Sequence, residues 1–158
     1  MWTIEFLHVL FGILWIGLLY FFNLVQVQSM PKMTEAGAAK PYAQIILPKA
    51  LFYFRWAALL TAVTGIVYYV AARWWTEKAV TGVPGGVIMI GMFLGLVMAF
   101  NVWFIIWPNQ KQIIAGALEG DALSKARRMA FLASRTNAWL SLPMLACMVA
   151  ANHGGFGF

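Results

Sequence analysis

Charge is what this sequence lacks most. Only 10% of its 158 residues are charged, and only five are acidic. A soluble domain carries nearer a quarter charged residues. With 63% hydrophobic residues and a mean hydropathy of +0.78, the composition excludes a water-soluble domain and predicts an integral membrane protein. The five acids, Glu5, Glu35, Glu77, Glu119 and Asp121, fall at the ends of apolar segments or between them. No carboxylate pair is placed for general acid–base work, no nucleophile has a base in reach, and no glycine-rich phosphate loop appears. Hydrolysis and phosphoryl transfer therefore lack the residues they need. An enzyme built on this chain would take its reactivity from a redox cofactor.

Cysteine is nearly absent too. Cys147 alone excludes an intrachain disulfide, a C-x-x-C-H haem attachment and a cysteine zinc site. Inside an apolar run, it is expected to be a small core residue. Basic residues are missing before Lys32, so the first apolar segment does not begin as a cleaved signal peptide does and is expected to remain as a helix.

What is present is long apolar sequence. Four segments, 2–27, 49–74, 86–107 and 130–152, reach the roughly 20 residues that a helix needs to cross a hydrocarbon core. The expected fold is all-α: an integral membrane, up-down four-helix bundle forming one domain over 1–158. Of the eleven Lys and Arg residues, all but Arg73 and Lys78 lie in or beside the first and third connections. The positive-inside rule places those connections in the cytoplasm and both termini outside, in the periplasm if the membrane is a bacterial inner membrane. The +6 net charge is then a topology signal and a source of lipid-headgroup contacts, which removes the case for nucleic-acid binding. The connection at 28–48, with Pro31, Pro41 and Pro48, is expected as a polar loop. In the third connection, 110–118 is expected as a short surface helix. The Gly91, Gly95 and Ala99 stripe, like Ala58, Ala62 and Gly65, lets helix backbones touch, within the chain or in a homodimer.

Ionisable and amide side chains inside lipid need a partner or a task. On the outer side stand the only two histidines, His8 and His153. At 100° per residue His8, Gly12, Trp15, Leu19 and Asn23 share one stripe. A histidine followed one turn later by glycine suits a flat macrocycle, and neutral imidazole is a usual axial ligand of b-type haem. Arg73 could then pair with a propionate. The structural reading is a histidine bonded to a carbonyl. On an ideal helix His153 lies about 160° from Asn137, so both face the interior only if Pro143 bends the helix. On the inner side Asn23, Arg55, Asn101, Arg135 and Asn137 form either a polar ligand site or an interhelical hydrogen-bond network.

The stretch Asn101-Val102-Trp103-Phe104-Ile105-Ile106-Trp107-Pro108-Asn109-Gln110-Lys111 and the pair Ala133-Ser134-Arg135-Thr136-Asn137 and Leu140-Ser141-Leu142-Pro143-Met144 resemble the membrane domain of the bacterial urate oxidase (urate hydroxylase) family. His8, Trp15-Ile16-Gly17 and Asn23 fit the same pattern. The resemblance implies the membrane part alone, of a system that in longer members carries a c-type cytochrome and passes electrons from urate to the respiratory chain. It adds weight to haem b at His8, with His153 as second candidate, and implies a respiratory or cytochrome c electron partner. Fainter similarities are to small membrane protoporphyrinogen oxidases and copper-resistance membrane proteins. Three readings stand: a haem b electron-transfer protein; a cofactor-free membrane subunit or small-molecule carrier; and a membrane oxidase of urate or a porphyrin.

Overall fold

The computed structural model describes residues 1–75 and 85–153, and it is all-α, with no strand among them. The first helical stretch comprises α1 (Trp2–Tyr20), a π-helical segment π1 (Phe21–Gln26) and α2 (Val27–Glu35). A turn through Gly37, at φ +69°, leads into α3 (Ala39–Trp75). The second half repeats this plan: α4 (Gly85–Phe100), π2 (Asn101–Ile106) and α5 (Trp107–Ile114), then Gly116 and Gly120 at positive φ, then α6 (Gly120–Asn152). Glycine is required at these turns because a Cβ clashes with the carbonyl in the left-handed region.

Three stretches are long and apolar enough to cross a membrane, Trp2–Glu35, Ala39–Ala72 and Gly86–Ile114. α6 has the length but is more polar. Its first half carries Lys125, Arg127 and Arg128, and Arg135, Asn137 and Pro143 interrupt the remainder.

The helices are longer than the sequence suggests. The expected polar loop at 28–48 is largely α2 and the beginning of α3, which starts at Ala39 rather than at 49, and the third connection is largely α5 and the start of α6. Prolines explain the error. Pro41 lies in the first turn of α3, where backbone N–H groups have no helical acceptor to lose, and Pro108 follows π2 at the start of α5, where the widened turn takes up its missing N–H. Pro48 and Pro143 lie inside helices whose packing holds them continuous.

The contacts between helices run in opposite directions along the chain. His8 meets Thr61 while Phe22 meets Phe54, tying α1 to α3. Tyr20 bonds Ser141 while Asn23 bonds Ser134, tying the first stretch to α6. Gly91 faces Cys147 while Asn101 bonds Asn137, tying the α4 stretch to α6. At Gly91 an added Cβ would stand 3.1 Å from that of Cys147, and at Gly95 it would stand 4.0 Å from Met144. The small-residue stripe is thus occupied by α6 of the same chain, and Cys147 is buried as expected. The core between the helices is built on Trp15, Leu19, Phe54, Met98 and Val102.

Candidate functional site

His8 sits where α1 crosses α3. Its Nδ1 is 2.9 Å from the carbonyl of Thr61, with a longer contact of 3.4 Å to Thr64 Oγ1. A carbonyl only accepts, so Nδ1 carries a proton, and in the neutral ring the lone pair is on Nε2. The imidazole packs against Gly65, where a Cβ would come within 2.8 Å of its Cε1. Gly65 is therefore the space His8 occupies. On the shared stripe Trp15, Leu19 and Asn23 are buried, so the stripe faces inward as the spacing implies. Gly12 lies against Thr61 with room for a Cβ, 3.8 Å from its methyl.

His153 is exposed at the end of α6, and its Nδ1 donates to the carbonyl of Val149 at 2.9 Å, which likewise leaves Nε2 with its lone pair. Among the described residues no hydrogen bond joins it to His8. Asn137 is fully buried, and His153 lies outside the interior on the same helix. The Arg73 side chain and Lys78 lie outside the described residues.

The inner polar residues divide into two hydrogen-bonded groups and two separate arginines. Asn101 Nδ2 donates to Asn137 Oδ1, and Asn137 Nδ2 donates to the Met98 carbonyl, each at 2.9 Å. Asn23 Nδ2 donates to the carbonyl of Leu19 and to Ser134 Oγ, each at 2.9 Å, while its Oδ1 is buried without a partner. Arg55 joins neither group by a hydrogen bond. Its guanidinium lies 3.8 Å over the Trp107 ring, with Trp103 and Phe52 at 5.8 and 5.6 Å. Its Nε is buried and unpartnered. Arg135 is exposed over Phe131 of its own helix, 5.1 Å away.

Both π segments fall on this layer. Val27 N–H bonds the Phe22 carbonyl and Trp107 N–H bonds that of Val102, each five residues back. The sequence cause is plain at π2, where Pro108 has no N–H to return to Phe104. Such segments often mark functional positions in helices. The third residue of each reaches the opposite half of the chain. Asn23 Nδ2 is 3.4 Å from the Ser134 carbonyl, and Trp103 Nε1 donates to the Arg55 carbonyl at 2.9 Å. These contacts match an internal repeat that the first reading of the sequence missed. Ala50, Arg55, Ala58, Leu60 and Thr61 recur at the same spacing as Ala130, Arg135, Ala138, Leu140 and Ser141. Aligning the halves would have singled out Thr61 and Ser141, which meet His8 and Tyr20.

The family model described as urate oxidase N-terminal matches residues 56–158. The chain belongs to the urate oxidase N-terminal family. No curated protein and no solved structure matches the chain. The urate oxidase N-terminal match contains the Trp103/Trp107, Asn101 and Asn137 positions together with Thr61 and Gly65. His8, Gly12, Asn23 and Arg55 precede it. The residues that cradle His8 thus lie within the urate oxidase N-terminal segment, and the imidazole itself comes from the helix before it.

Proposed function

We propose that this chain is the membrane-embedded redox subunit of a urate oxidase-like system, an up-down bundle of four membrane-crossing helices in a bacterial inner membrane. In this reading both termini face the periplasm, and His8 serves as an axial ligand of a b-type haem. The observation that carries the reading is the pairing of His8 Nδ1 with the Thr61 carbonyl over Gly65. A metal-ligating histidine commonly donates its other ring N–H to a carbonyl, which fixes the tautomer and makes the free nitrogen more basic. Gly65 leaves the ring the space it occupies.

The residues fit one axial ligand. The group itself would supply one-electron chemistry; the protein supplies the fixed nitrogen, the dry surroundings and the orientation. His153 is the second candidate. The Tyr20–Ser141 and Asn23–Ser134 bonds support its placement at the same end of the bundle as His8. The fourth crossing requires α6 to carry Arg135 near the inner boundary, where its exposed guanidinium reaches headgroups.

The test is an absorption spectrum of the protein purified in detergent from cells supplied with haem. A Soret band that shifts on dithionite reduction and is lost in His8→Ala is the expected result. A colourless protein, or a band unchanged in His8→Ala, would overturn the reading.

A second reading is a small-molecule carrier using the inner layer, favoured by the partnerless Asn23 Oδ1 and Arg55 Nε. Binding of a polar solute that Arg55→Ala abolishes without loss of fold would select it over the haem reading.

A further inference from the structure

Arg55 presents a problem that the haem reading does not absorb. Its Nε is buried with no acceptor, and among the described residues it makes no ion pair. Aromatic faces hold it on three sides, at 3.8, 5.6 and 5.8 Å. Rings attract a cation, but they do not replace the hydrogen bonds a guanidinium makes to oxyanions. A cation without an acceptor at the margin of an apolar span is costly, and an anion beside it would lower that cost.

A second feature adjoins it. Between Phe11 and Leu14 of α1 and Phe52, Trp56 and Leu60 of α3 runs an apolar cleft of about 360 Å³. Phe52 belongs both to the cleft wall and to the rings around Arg55, and Trp56 packs edge-on against Trp103, another of those rings, at 5.5 Å. The cleft therefore runs from the level of Leu60, one residue before the carbonyl that holds His8, to Phe52, whose ring also borders the guanidinium. Its walls are membrane-facing: Leu14, Phe52 and Tyr53 are exposed. Lys49 is one turn beyond Tyr53 along the same stripe and is also exposed.

We propose that this cleft is a binding site for one anionic phospholipid of the inner leaflet, its acyl chain in the groove and its phosphate on Arg55, with Lys49 in reach. The charge decides the occupant: Arg55 and Lys49 lie beside the Phe52 and Tyr53 end of a trough with no acidic residue in its lining, and basic residues predominate in the neighbouring connections. The assignment to the inner leaflet rests on the orientation proposed above. The site itself does not depend on haem.

Native mass spectrometry of the protein in mild detergent tests the site, after incubation with phosphatidylglycerol or phosphatidylcholine of identical chains. The expected result is one phosphatidylglycerol retained per chain, at least about tenfold over phosphatidylcholine. Arg55→Gln should lose that preference, and Leu60→Trp, which fills the cleft and leaves the charge, should lose retention of both lipids, with circular dichroism confirming that each variant is folded. Leu60→Trp alters a membrane-facing position, so it decides the matter if Arg55→Gln does not fold. Equal retention of the two lipids would overturn the proposal, as would retention indifferent to Leu60→Trp. Displacement of the lipid by millimolar inorganic phosphate would assign Arg55 to free phosphate instead. Preferential uptake of an isoprenoid quinone would assign the cleft to a neutral redox lipid and equally overturn it.

Discussion

In the first half of the chain Arg55 lies among three rings with an unpartnered Nε, and Asn23 keeps a buried, unbonded oxygen. At the matching place in the second half Arg135 projects outward, and two residues on, where the first half has Ala57, Asn137 has both its amide nitrogen and its oxygen engaged with the α4 stretch. The two halves share helix lengths, a π segment and the alanine–arginine–alanine–leucine–hydroxyl pattern. They differ in whether their buried polar groups are satisfied. Satisfied groups hold the frame together, whereas the unsatisfied ones, together with Nε2 of His8, are where the proposals above place a bound group. Asn101 and Asn137 are read on this basis as frame, and His8 and Arg55 as sites.

This contrast can be broken by substitution. The largest effect is expected at Asn137, which is fully buried. Asn137→Ala removes two interhelical bonds, strands the Asn101 amide and opens a cavity, a loss of about 2–3 kcal/mol, read as reduced resistance to unfolding in denaturing detergent. Any haem band should survive in the fraction that remains folded. Next is Gly65→Ala, whose Cβ cannot coexist with the imidazole as placed. Overpacking of that kind costs about 1–3 kcal/mol, and here it should also displace His8, so the spectrum and the stability should fall together.

Two glycines on α4 sharpen the comparison. Gly91→Ala presses on Cys147 and should destabilise by about 1 kcal/mol, whereas Gly95→Ala has space and should be neutral or gain up to about 1 kcal/mol from helix propensity. Thermal unfolding of both in one detergent checks the difference in sign. Trp103→Phe keeps a ring under Arg55 but removes the bond to its carbonyl, at an expected cost of about 0.6–1 kcal/mol. Arg135→Gln, in the exposed counterpart, should change stability by no more than about 0.5 kcal/mol.

Composition made the long apolar helices legible, because their runs have the length and hydropathy of a membrane crossing. Periodicity likewise placed His8, Trp15, Leu19 and Asn23 on one inward face. The helix ends were not legible. Pro31, Pro41, Pro48 and Pro108 read as loop residues, yet first-turn positions, π segments and packing accommodate them within long helices. At the candidate site, His8 could be singled out from one helix alone. Its tautomer could not, because that depends on the Thr61 carbonyl, and nothing in the local sequence shows which face of α3 lies opposite. Arg55 and the asparagines appeared as one cluster for the same reason: residue counting gives depth along a helix but not which neighbour each side chain meets.

The central claim is that His8 Nε2 is itself the ligand, rather than a packing group whose loss merely disturbs the fold. Cavity rescue tests this most directly. His8→Gly should purify folded without the Soret band of the wild type, and millimolar imidazole added with haemin should restore a band that shifts on reduction. A His8→Gly protein that keeps the wild-type spectrum, or one that imidazole leaves unchanged, would contradict the account.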